Sequence, residues 1–237
     1  MESLTPDQIR SYGENGYLIV PSGLSAEDLE ILKADTLELL AEEEERKASD
    51  PKYQAMTKYR RFTVGLHIRS LKIRAYVASG IFKAIGRAFI GNEVDLHFTS
   101  TITKSPGKGR SIDWHQDAVY ENDGHFPRLI CWTSLTESYP ENGGIFAVPG
   151  SHLKGLLPHE KSALYERDLR TLGVDEAAAA PLILRAGEIL IFDRHLVHGS
   201  PENKTPFDRV ALISAYQKPK ANYTEQELRI RMELLRG

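Results

Sequence analysis

The chain has 237 residues, of which 41% are hydrophobic and 27% charged, a composition typical of a globular protein with a sizeable core. Thirty Lys and Arg against 33 Asp and Glu give a net charge of −3, without the basic excess that nucleic-acid or membrane-surface binders need. The single cysteine, Cys131, excludes an internal disulfide and a Cys/His zinc array. No secretory signal and no membrane-spanning apolar run are present, so we expect a cytoplasmic protein with neither nucleic-acid nor membrane partners.

The first part of the chain, about residues 1–92, is predicted to be mainly helical. Capping signals and apolar periodicity predict a short helix at 5–12, a strand at 17–20, a long helix at 25–47 and a second long helix at 71–90. Residues 50–67 have no period and contain Pro51 and Gly65. We expect this segment to form a loop.

From about residue 93 to 218 the pattern changes to short apolar runs separated by turn residues. The predicted strands are 94–104, 111–115, 128–135, 144–148, 180–184, 188–192 and 209–216. Such a series is typical of a β-sandwich or barrel rather than of alternating βαβ units. Residues 161–173 are a polar insertion with weak helical character, and a C-terminal helix is predicted at about 223–236. The whole chain is expected to form one domain.

Histidine and carboxylate spacing suggests a metal site, although a lone histidine is more often structural than a ligand. His115 and Asp117 form an H-x-D pair, and residues two apart on an extended strand face the same side. His198 follows 81 positions later (198 − 117), after an apolar strand. Two histidines and one carboxylate with open positions are typical of non-haem Fe(II) sites. His195 is an alternative to His198, which we favour because Gly199 and the residue after it leave room for a ligand.

Arg209 begins the strand R-V-A-L-I-S-A-Y, where it shares a face with Ala211, Ile213 and Ala215. An arginine among apolar side chains is costly to bury without a partner. It could pair with an acid such as Asp208 or lie at a solvent-exposed strand edge. Because the H-x-D…H pattern is also present, we favour a third interpretation, in which the guanidinium binds a small dicarboxylate through two parallel hydrogen bonds.

Together these motifs resemble the phytanoyl-CoA dioxygenase family of Fe(II)/2-oxoglutarate oxygenases. The matching segments are N-G-Y-L-I-V-P-S (15–22), W-H-Q-D (114–117), E-N-G-G-I-F-A-V-P-G-S-H (141–152), G-E-I-L-I-F-D-R-H-L-V-H-G-S (187–200) and Arg209. They span about residues 5 to 218, and their combined order is specific where any one part is not. The resemblance implies a mainly β fold with flanking helices, built on a double-stranded β-helix (jelly-roll, cupin-like) core.

The resemblance also implies roles for individual residues. His115, Asp117 and His198 are the implied iron ligands, while Arg209 and Ser200 are expected to bind the distal carboxylate of 2-oxoglutarate. The other residues expected at the cosubstrate are Trp132, Gln116, Thr99 and His97.

Another histidine, His152, lies in the P-G-S-H segment and looks at first like a ligand. In the family pattern it belongs to a turn, where Ser and His side chains bond the local backbone. We therefore assign no metal to it.

The implied reaction oxidises a small molecule with Fe(II), 2-oxoglutarate and O2, releases succinate and CO2, and has ascorbate as an optional reductant. Relatives that halogenate replace the carboxylate ligand by a small residue, so Asp117 favours hydroxylation or another oxidation such as desaturation, ring closure or epimerisation. Two alternatives are kept. A cupin-like isomerase or hydrolase with another divalent ion would not need Arg209 and Ser200, and a non-enzymatic jelly-roll binding protein would be expected to lack a ligand residue.

Three segments, 50–69, 118–128 and 153–180, are expected to frame the mouth of the site, because loops on a rigid scaffold usually carry specificity. They offer basic and aromatic side chains that suit an acidic or polar small molecule: Tyr59, Arg61, His67, Tyr120 and Arg128. A free small metabolite is the expected substrate, with a CoA- or carrier-bound acyl chain as the alternative. No pattern in the sequence predicts the oligomeric state.

Overall fold

The computed structural model describes residues 3–51, 53–54, 61–120, 128–163, 169–219 and 224–225. Its helices are α1 (Pro6–Asn15), α2 (Ala26–Arg46), α3 (Leu66–Arg69), α4 (Leu71–Val77) and α5 (Gly80–Phe89). Its strands are β1 (Tyr17–Pro21), β2 (Arg61–Val64), β3 (Asp95–Thr103), β4 (Ile112–His115), β5 (Arg128–Ser134), β6 (Phe146–Ala147), β7 (His159–Lys161), β8 (Leu169–Thr171), β9 (Ala180–Pro181), β10 (Glu188–Asp193), β11 (His198–Ser200) and β12 (Ala211–Gln217). Within these ranges no helix is both long and apolar enough to cross a membrane.

The strands form two facing antiparallel sheets and a separate hairpin. The larger sheet has the order β1-β10-β5-β12-β3-β2, the smaller one has the order β4-β11-β6-β9, and β7 pairs with β8. This is the double-stranded β-helix that the family resemblance implies, with helices packed against the outer face of the larger sheet. The inner faces of the two sheets enclose a second apolar cluster and the cavity described below.

The central strand β5 shows how the two layers are built. Ile130 and Trp132 point between the sheets, while Leu129 and Cys131 pack under the helices. All seven residues of β5 are buried, because one face of the strand is covered by helices and the other by the second sheet. The central part of the strand, Leu129–Trp132, is therefore apolar on both faces rather than alternating.

Three of the predicted elements differ from the structure. The predicted helix at 71–90 is two helices, since Ser79 is extended and begins α5 as its N-cap residue. The predicted loop at 50–67 contains β2, which pairs with β3. The insertion at 161–173 contributes to the β7–β8 hairpin rather than to a helix. In the last two cases the pairing partner decides the conformation, and local propensity does not report it. The predicted C-terminal helix lies outside the described residues except for 224–225.

The N-terminal helix is fixed at both ends. Thr5 and Gln8 form a reciprocal capping box at the start of α1. Gly16 ends it in the left-handed region, at φ +82°, where a Cβ atom would lie 2.5 Å from Nδ1 of His152. His152 in turn bonds the carbonyl of Gly13 through Nε2, at 3.2 Å. His152 thus joins the turn at 149–152 to α1.

Gly16→Ala is expected to lower the free energy of unfolding by about 1–2 kcal/mol, because an L-residue is strained at this φ. Gly13→Ala is the matched control: Gly13 lies inside α1, and a methyl group added there would have no neighbouring atom within 4 Å. Alanine at that position should stabilise by up to about 1 kcal/mol. Urea unfolding of both variants measures the difference. Equal stability of the two variants would contradict the strained cap.

Candidate active site

The site begins where two strands of the smaller sheet lie side by side. β4 ends at His115 and pairs with β11, which begins at His198, so that the two histidines are direct cross-strand partners. Their ring centroids are 4.2 Å apart. Asp117 follows β4 in a short 3-10 turn, Asp117–Tyr120, which brings its carboxylate back toward both rings.

These three side chains form a compact donor group. Oδ1 of Asp117 lies 3.5 Å from Nε2 of His115 and 3.9 Å from Nε2 of His198. One ligand atom from each of the three residues lies within 4.8 Å of the others. Two imidazole nitrogens and one carboxylate oxygen at this spacing can bind a single transition-metal ion and leave open positions for other ligands.

Backbone carbonyls fix which nitrogen of each histidine faces the metal position. Nδ1 of His115 lies 2.8 Å from the carbonyl oxygen of Asp113, and Nδ1 of His198 lies 2.9 Å from that of Leu196. A carbonyl oxygen only accepts, so each Nδ1 carries the hydrogen and each Nε2 presents its lone pair. This is the outer-shell arrangement that orients metal-bound histidines.

The protonation states also suit metal binding. Burial and the neighbouring His115 lower the pKa of His198 to about 4, so its imidazole is neutral at neutral pH. Burial raises the pKa of the Asp117 carboxyl, but contacts with His115 and His198 outweigh it and leave that pKa below its usual value. His198 is therefore a neutral imidazole and Asp117 a carboxylate, the forms that bind a metal.

His195, the alternative to His198, has a different role. Its backbone N–H donates to Oδ1 of Asp193 at 2.7 Å, and its Nδ1 lies 3.2 Å from the same oxygen. It is not among the residues that line the cavity. The structure brings His198 to the donor group and keeps His195 at the end of β10.

A cavity of about 650 Å³ opens between the two sheets beside the donor group. This volume lies within the range of pockets that enclose drug-sized ligands, so it has room for two small molecules together. Its wall is largely apolar, with the polar contributions of Arg209, Ser200 and Arg128.

Arg209 is the most unusual residue of this wall. Its side chain is only 2% exposed, its Nε has no hydrogen-bond partner among the described residues, and its guanidinium carbon lies 5.2 Å from the centre of the Trp132 ring. Burial lowers its pKa to about 10, so it stays protonated at neutral pH. Oδ2 of Asp208 lies 3.7 Å from Nη1 of Arg61 instead. Arg209 is therefore neither paired with Asp208 nor located at a solvent-exposed strand edge.

This donor set fits Fe(II) and a dicarboxylate cosubstrate. The nitrogen and carboxylate ligands match non-haem iron, and a buried guanidinium is costly unless an anion binds it. Trp132 and Ser200 line the same cavity.

Two residues expected at the cosubstrate point elsewhere. The Gln116 amide is buried away from the cavity. It donates to the carbonyls of Gly155 and His195, at 2.9 and 2.6 Å, and accepts from the N–H of Leu157 at 2.8 Å. Its side chain connects two loops behind the metal ligands and faces opposite to His115, so the structure does not bring Gln116 to the cavity.

A β-bulge turns Thr99 away from the cavity. In the pairing of β3 with β12, Ala215 faces Phe98 while Tyr216 faces Leu96, so that His97 has no opposite residue. After this extra residue Phe98, Ser100 and Ile102 face the cavity, together with His97. Thr99 points to the outer face.

Of the five candidate substrate residues, two line the cavity, two lie elsewhere and one lies outside the described residues. His67 is fully buried on the outer face, where its Nδ1 lies 2.8 Å from the Thr99 hydroxyl, and Arg61 forms two 2.7 Å contacts with Glu44. The structure brings neither residue to the cavity. Tyr120 and Arg128 do line it, and Tyr59 lies outside the described residues.

One charged residue near the site was not predicted. Lys104 follows β3 and is fully buried, with its ammonium group 2.7 Å from Oγ of Ser200. The only signal in the sequence was a lysine directly after the strand D-L-H-F-T-S-T-I-T, a pattern that fits a solvent-exposed strand end equally well.

The fold and the donor set together define the class of the protein, a non-haem Fe(II)- and 2-oxoglutarate-dependent oxygenase. Comparison with known proteins narrows it further. The chain belongs to the phytanoyl-CoA dioxygenase (PhyH) family, whose model matches residues 12–211.

Similar proteins include enzymes with small substrates. The ectoine dioxygenase of Streptomyces avermitilis is 30% identical over 234 residues, which cover 87% of this chain and 76% of that protein. The methylphosphonate hydroxylase of Gimesia maris is 27% identical and covers 90% of this chain and 81% of its own length. The structure of SnoK, a non-haem alpha-ketoglutarate-dependent carbocyclase from nogalamycin biosynthesis, matches 94% of this chain and 87% of SnoK with a TM-score of 0.74 and 20% identity. The SnoK likeness shows a shared fold.

Proposed function

We propose that the protein hydroxylates a small molecule that carries a carboxylate or phosphonate group, with Fe(II) held by His115, Asp117 and His198. The observation that carries this proposal is that the three-residue donor group and the buried Arg209, whose Nε has no partner among the described residues, share one cavity. A cupin-like isomerase or hydrolase would give that arginine no role. A non-enzymatic binding protein would not need three metal-binding side chains within reach of one ion.

Iron and 2-oxoglutarate, when bound, supply the oxidation of a substrate C–H bond with O2, coupled to decarboxylation of 2-oxoglutarate to succinate and CO2. The chain itself supplies placement. His115 and His198 hold their Nε2 lone pairs toward one point, because each Nδ1 hydrogen is bonded to a backbone carbonyl. Arg209 and Ser200 would hold the distal carboxylate of 2-oxoglutarate. The apolar walls exclude water, which strengthens these electrostatic contacts.

The substrate class is inferred from the opposite end of the cavity. Arg128, Ile130 and Trp132 alternate on the inner face of β5, and all three line the cavity. Four residues of strand separate Arg128 from Trp132 by about 13 Å, so Arg128 marks an end distinct from the one that holds Arg209. Its Nη2 donates to Oε1 of Gln217 at 3.1 Å, which keeps the guanidinium in place. A cation here suits a small anionic or zwitterionic substrate.

The names of the relatives supply the first compounds to test. Ectoine carries a carboxylate and methylphosphonate a phosphonate, so both fit the proposed class. The purified protein, loaded anaerobically with Fe(II), is given 2-oxoglutarate, one candidate substrate and O2, and succinate and an oxygenated product are measured. We expect one member of a panel of small carboxylates and phosphonates to stimulate succinate formation and to gain one oxygen atom. Failure of the iron-loaded protein to bind 2-oxoglutarate would overturn the proposal.

Arg128→Met is expected to raise KM for the anionic substrate about 10-fold or more, because a hydrogen-bonded ion pair to the substrate is lost. The affinity for 2-oxoglutarate should change less than about twofold, since Arg209 and not Arg128 would bind it. The measurements are steady-state kinetics with the stimulating compound and anaerobic titration with 2-oxoglutarate. Arg185→Met, at an exposed arginine whose partner is Glu188, is the control. An unchanged KM in Arg128→Met would remove Arg128 from the substrate site.

A further inference from the structure

Lys104 and Arg209 are two of the largest fully buried side chains in the described part of the protein, and they lie opposite each other. Each donates its backbone N–H to the carbonyl of the other at 3.0 Å, which makes them a hydrogen-bonded pair of an antiparallel bridge. Side chains of such a pair leave the same face of the sheet with their Cβ atoms about 5 Å apart. Two cations directly opposite each other destabilise the folded state. We therefore expect Lys104 to have a role that offsets this destabilisation.

The ammonium group of Lys104 is directed at one residue of the cavity wall. Nζ donates to Oγ of Ser200 at 2.7 Å, to the carbonyl of Ser200 at 3.2 Å and to the carbonyl of Pro201. These three oxygens match the three hydrogens of an ammonium group. Lys104 itself is not among the residues that line the cavity, whereas Ser200 is.

This contact determines what the Ser200 hydroxyl can do. A hydroxyl has one hydrogen and two acceptor positions, and Nζ of Lys104 takes one acceptor position. Within the described part of the chain no acceptor takes the hydrogen of Ser200, and Oγ lies on the cavity wall. The hydroxyl is therefore left as a donor toward the cavity, the form that a carboxylate requires. The charge of Lys104 also polarises the O–H group and strengthens it as a donor.

Two glycines keep the lysine in this position. A Cβ atom at Gly143, in the N-G-G segment, would lie 2.6 Å from Cδ of Lys104, and one at Gly109 would lie 2.7 Å from its Cβ. The amide of Asn203 donates to the Lys104 carbonyl at 2.7 Å. The aliphatic part of the Lys104 side chain thus passes two positions at which only glycine leaves enough space. Hydrogen bonds from Asn203 and Arg209 hold its backbone carbonyl.

We infer that Lys104 is a positioning residue for the cosubstrate: it holds the Ser200 hydroxyl as a hydrogen-bond donor to the distal carboxylate of 2-oxoglutarate, beside Arg209. This inference rests on the proposed function. It gives Gly143 of the N-G-G segment and the buried Lys104 one shared role, which is the selective binding of a dicarboxylate.

The test compares two ligands that differ only at the distal end. 2-Oxopentanoate has the five-carbon chain and the 2-oxo acid of 2-oxoglutarate but lacks the distal carboxylate. Affinities of both acids are measured by anaerobic calorimetric titration of the Fe(II)-loaded protein. We expect Lys104→Met to weaken 2-oxoglutarate binding about 10-fold or more, as loss of a hydrogen bond to a charged group predicts, and 2-oxopentanoate binding less than about twofold. Lys108→Met, at an exposed lysine four residues away, should change neither.

A double-mutant cycle separates positioning from a purely structural role. Because Lys104 acts through the hydroxyl, adding Lys104→Met to Ser200→Ala should weaken 2-oxoglutarate binding much less than it does in the wild-type background. The same loss in both backgrounds, or an equal loss for the two acids, would overturn the inference. If Lys104→Met does not fold, Gly143→Ala, whose methyl group would displace the lysine stem and whose φ of +80° also strains the backbone, should still weaken 2-oxoglutarate binding more than 2-oxopentanoate binding.

Failures of the two proposals can be told apart. Wild-type protein that binds Fe(II) but not 2-oxoglutarate would overturn the proposed function and this inference with it. Unchanged 2-oxoglutarate binding in Lys104→Met, with normal binding by the wild type, would overturn the inference alone.

Discussion

Asp117→Ala is expected to abolish turnover and to weaken Fe(II) binding by more than about 100-fold, because changes to outer-shell partners of metal ligands already cost about 10–100-fold. Asp117 supplies the single carboxylate of the group, and its Oδ1 lies within 4 Å of Nε2 of both histidines. Without it, only the two imidazoles remain to hold a divalent cation. Anaerobic equilibrium dialysis with Fe(II) and succinate formation measure the two effects.

Asp113→Asn is the matched control for this prediction. Asp113 lies on the same strand two residues before His115, and its carboxylate accepts from the Ser162 hydroxyl rather than from the donor group. Its backbone carbonyl, which orients His115, is unaffected by the substitution. Fe(II) affinity in Asp113→Asn should stay close to the wild-type value. Iron bound equally well by Asp117→Ala and the wild type would contradict the metal assignment.

The second large effect is expected from Arg209→Met. Loss of one partner from a buried, hydrogen-bonded ion pair costs about 2–5 kcal/mol, so the affinity for 2-oxoglutarate should fall by a factor of at least about 30. Arg209→Lys keeps a positive charge but loses the planar fork, and should recover only part of the affinity. Anaerobic titration of the iron-loaded variants with 2-oxoglutarate measures both.

The stability of the ligand-free variant provides an independent test of the same site. The buried guanidinium carries its desolvation cost in the absence of an anion, so Arg209→Met should be at least as stable to urea as the wild type. Arg61→Met, which loses the surface pair with Glu44, should bind 2-oxoglutarate normally. An Arg209→Met protein that is much less stable yet binds 2-oxoglutarate like the wild type would identify Arg209 as a structural residue.

Patterns in the sequence by themselves predicted a β-sandwich or barrel and suggested His115, Asp117 and His198 as a metal group, while the resemblance to the family implied the jelly-roll form of the fold. Apolar runs with turn residues between them predicted the strands, and local rules place their side chains on alternate faces. His115 and Asp117 are two positions apart, so their proximity follows from local geometry, and the strand before His198 indicated how the chain returns to them. Arg209 was conspicuous because a charged residue in an apolar strand needs an explanation.

Tertiary structure decided which neighbouring residues face the cavity. One extra residue in β3, His97, reverses the alternation, so that Ser100 faces the cavity and Thr99 does not. The position of a bulge depends on the strand that pairs with it, which local sequence does not report. The bridge between Lys104 and Arg209 joins residues 105 positions apart (209 − 104), and burial of the lysine follows from that pairing. Local patterns therefore determined the chemistry of the metal group, whereas strand register decided which side chains surround it.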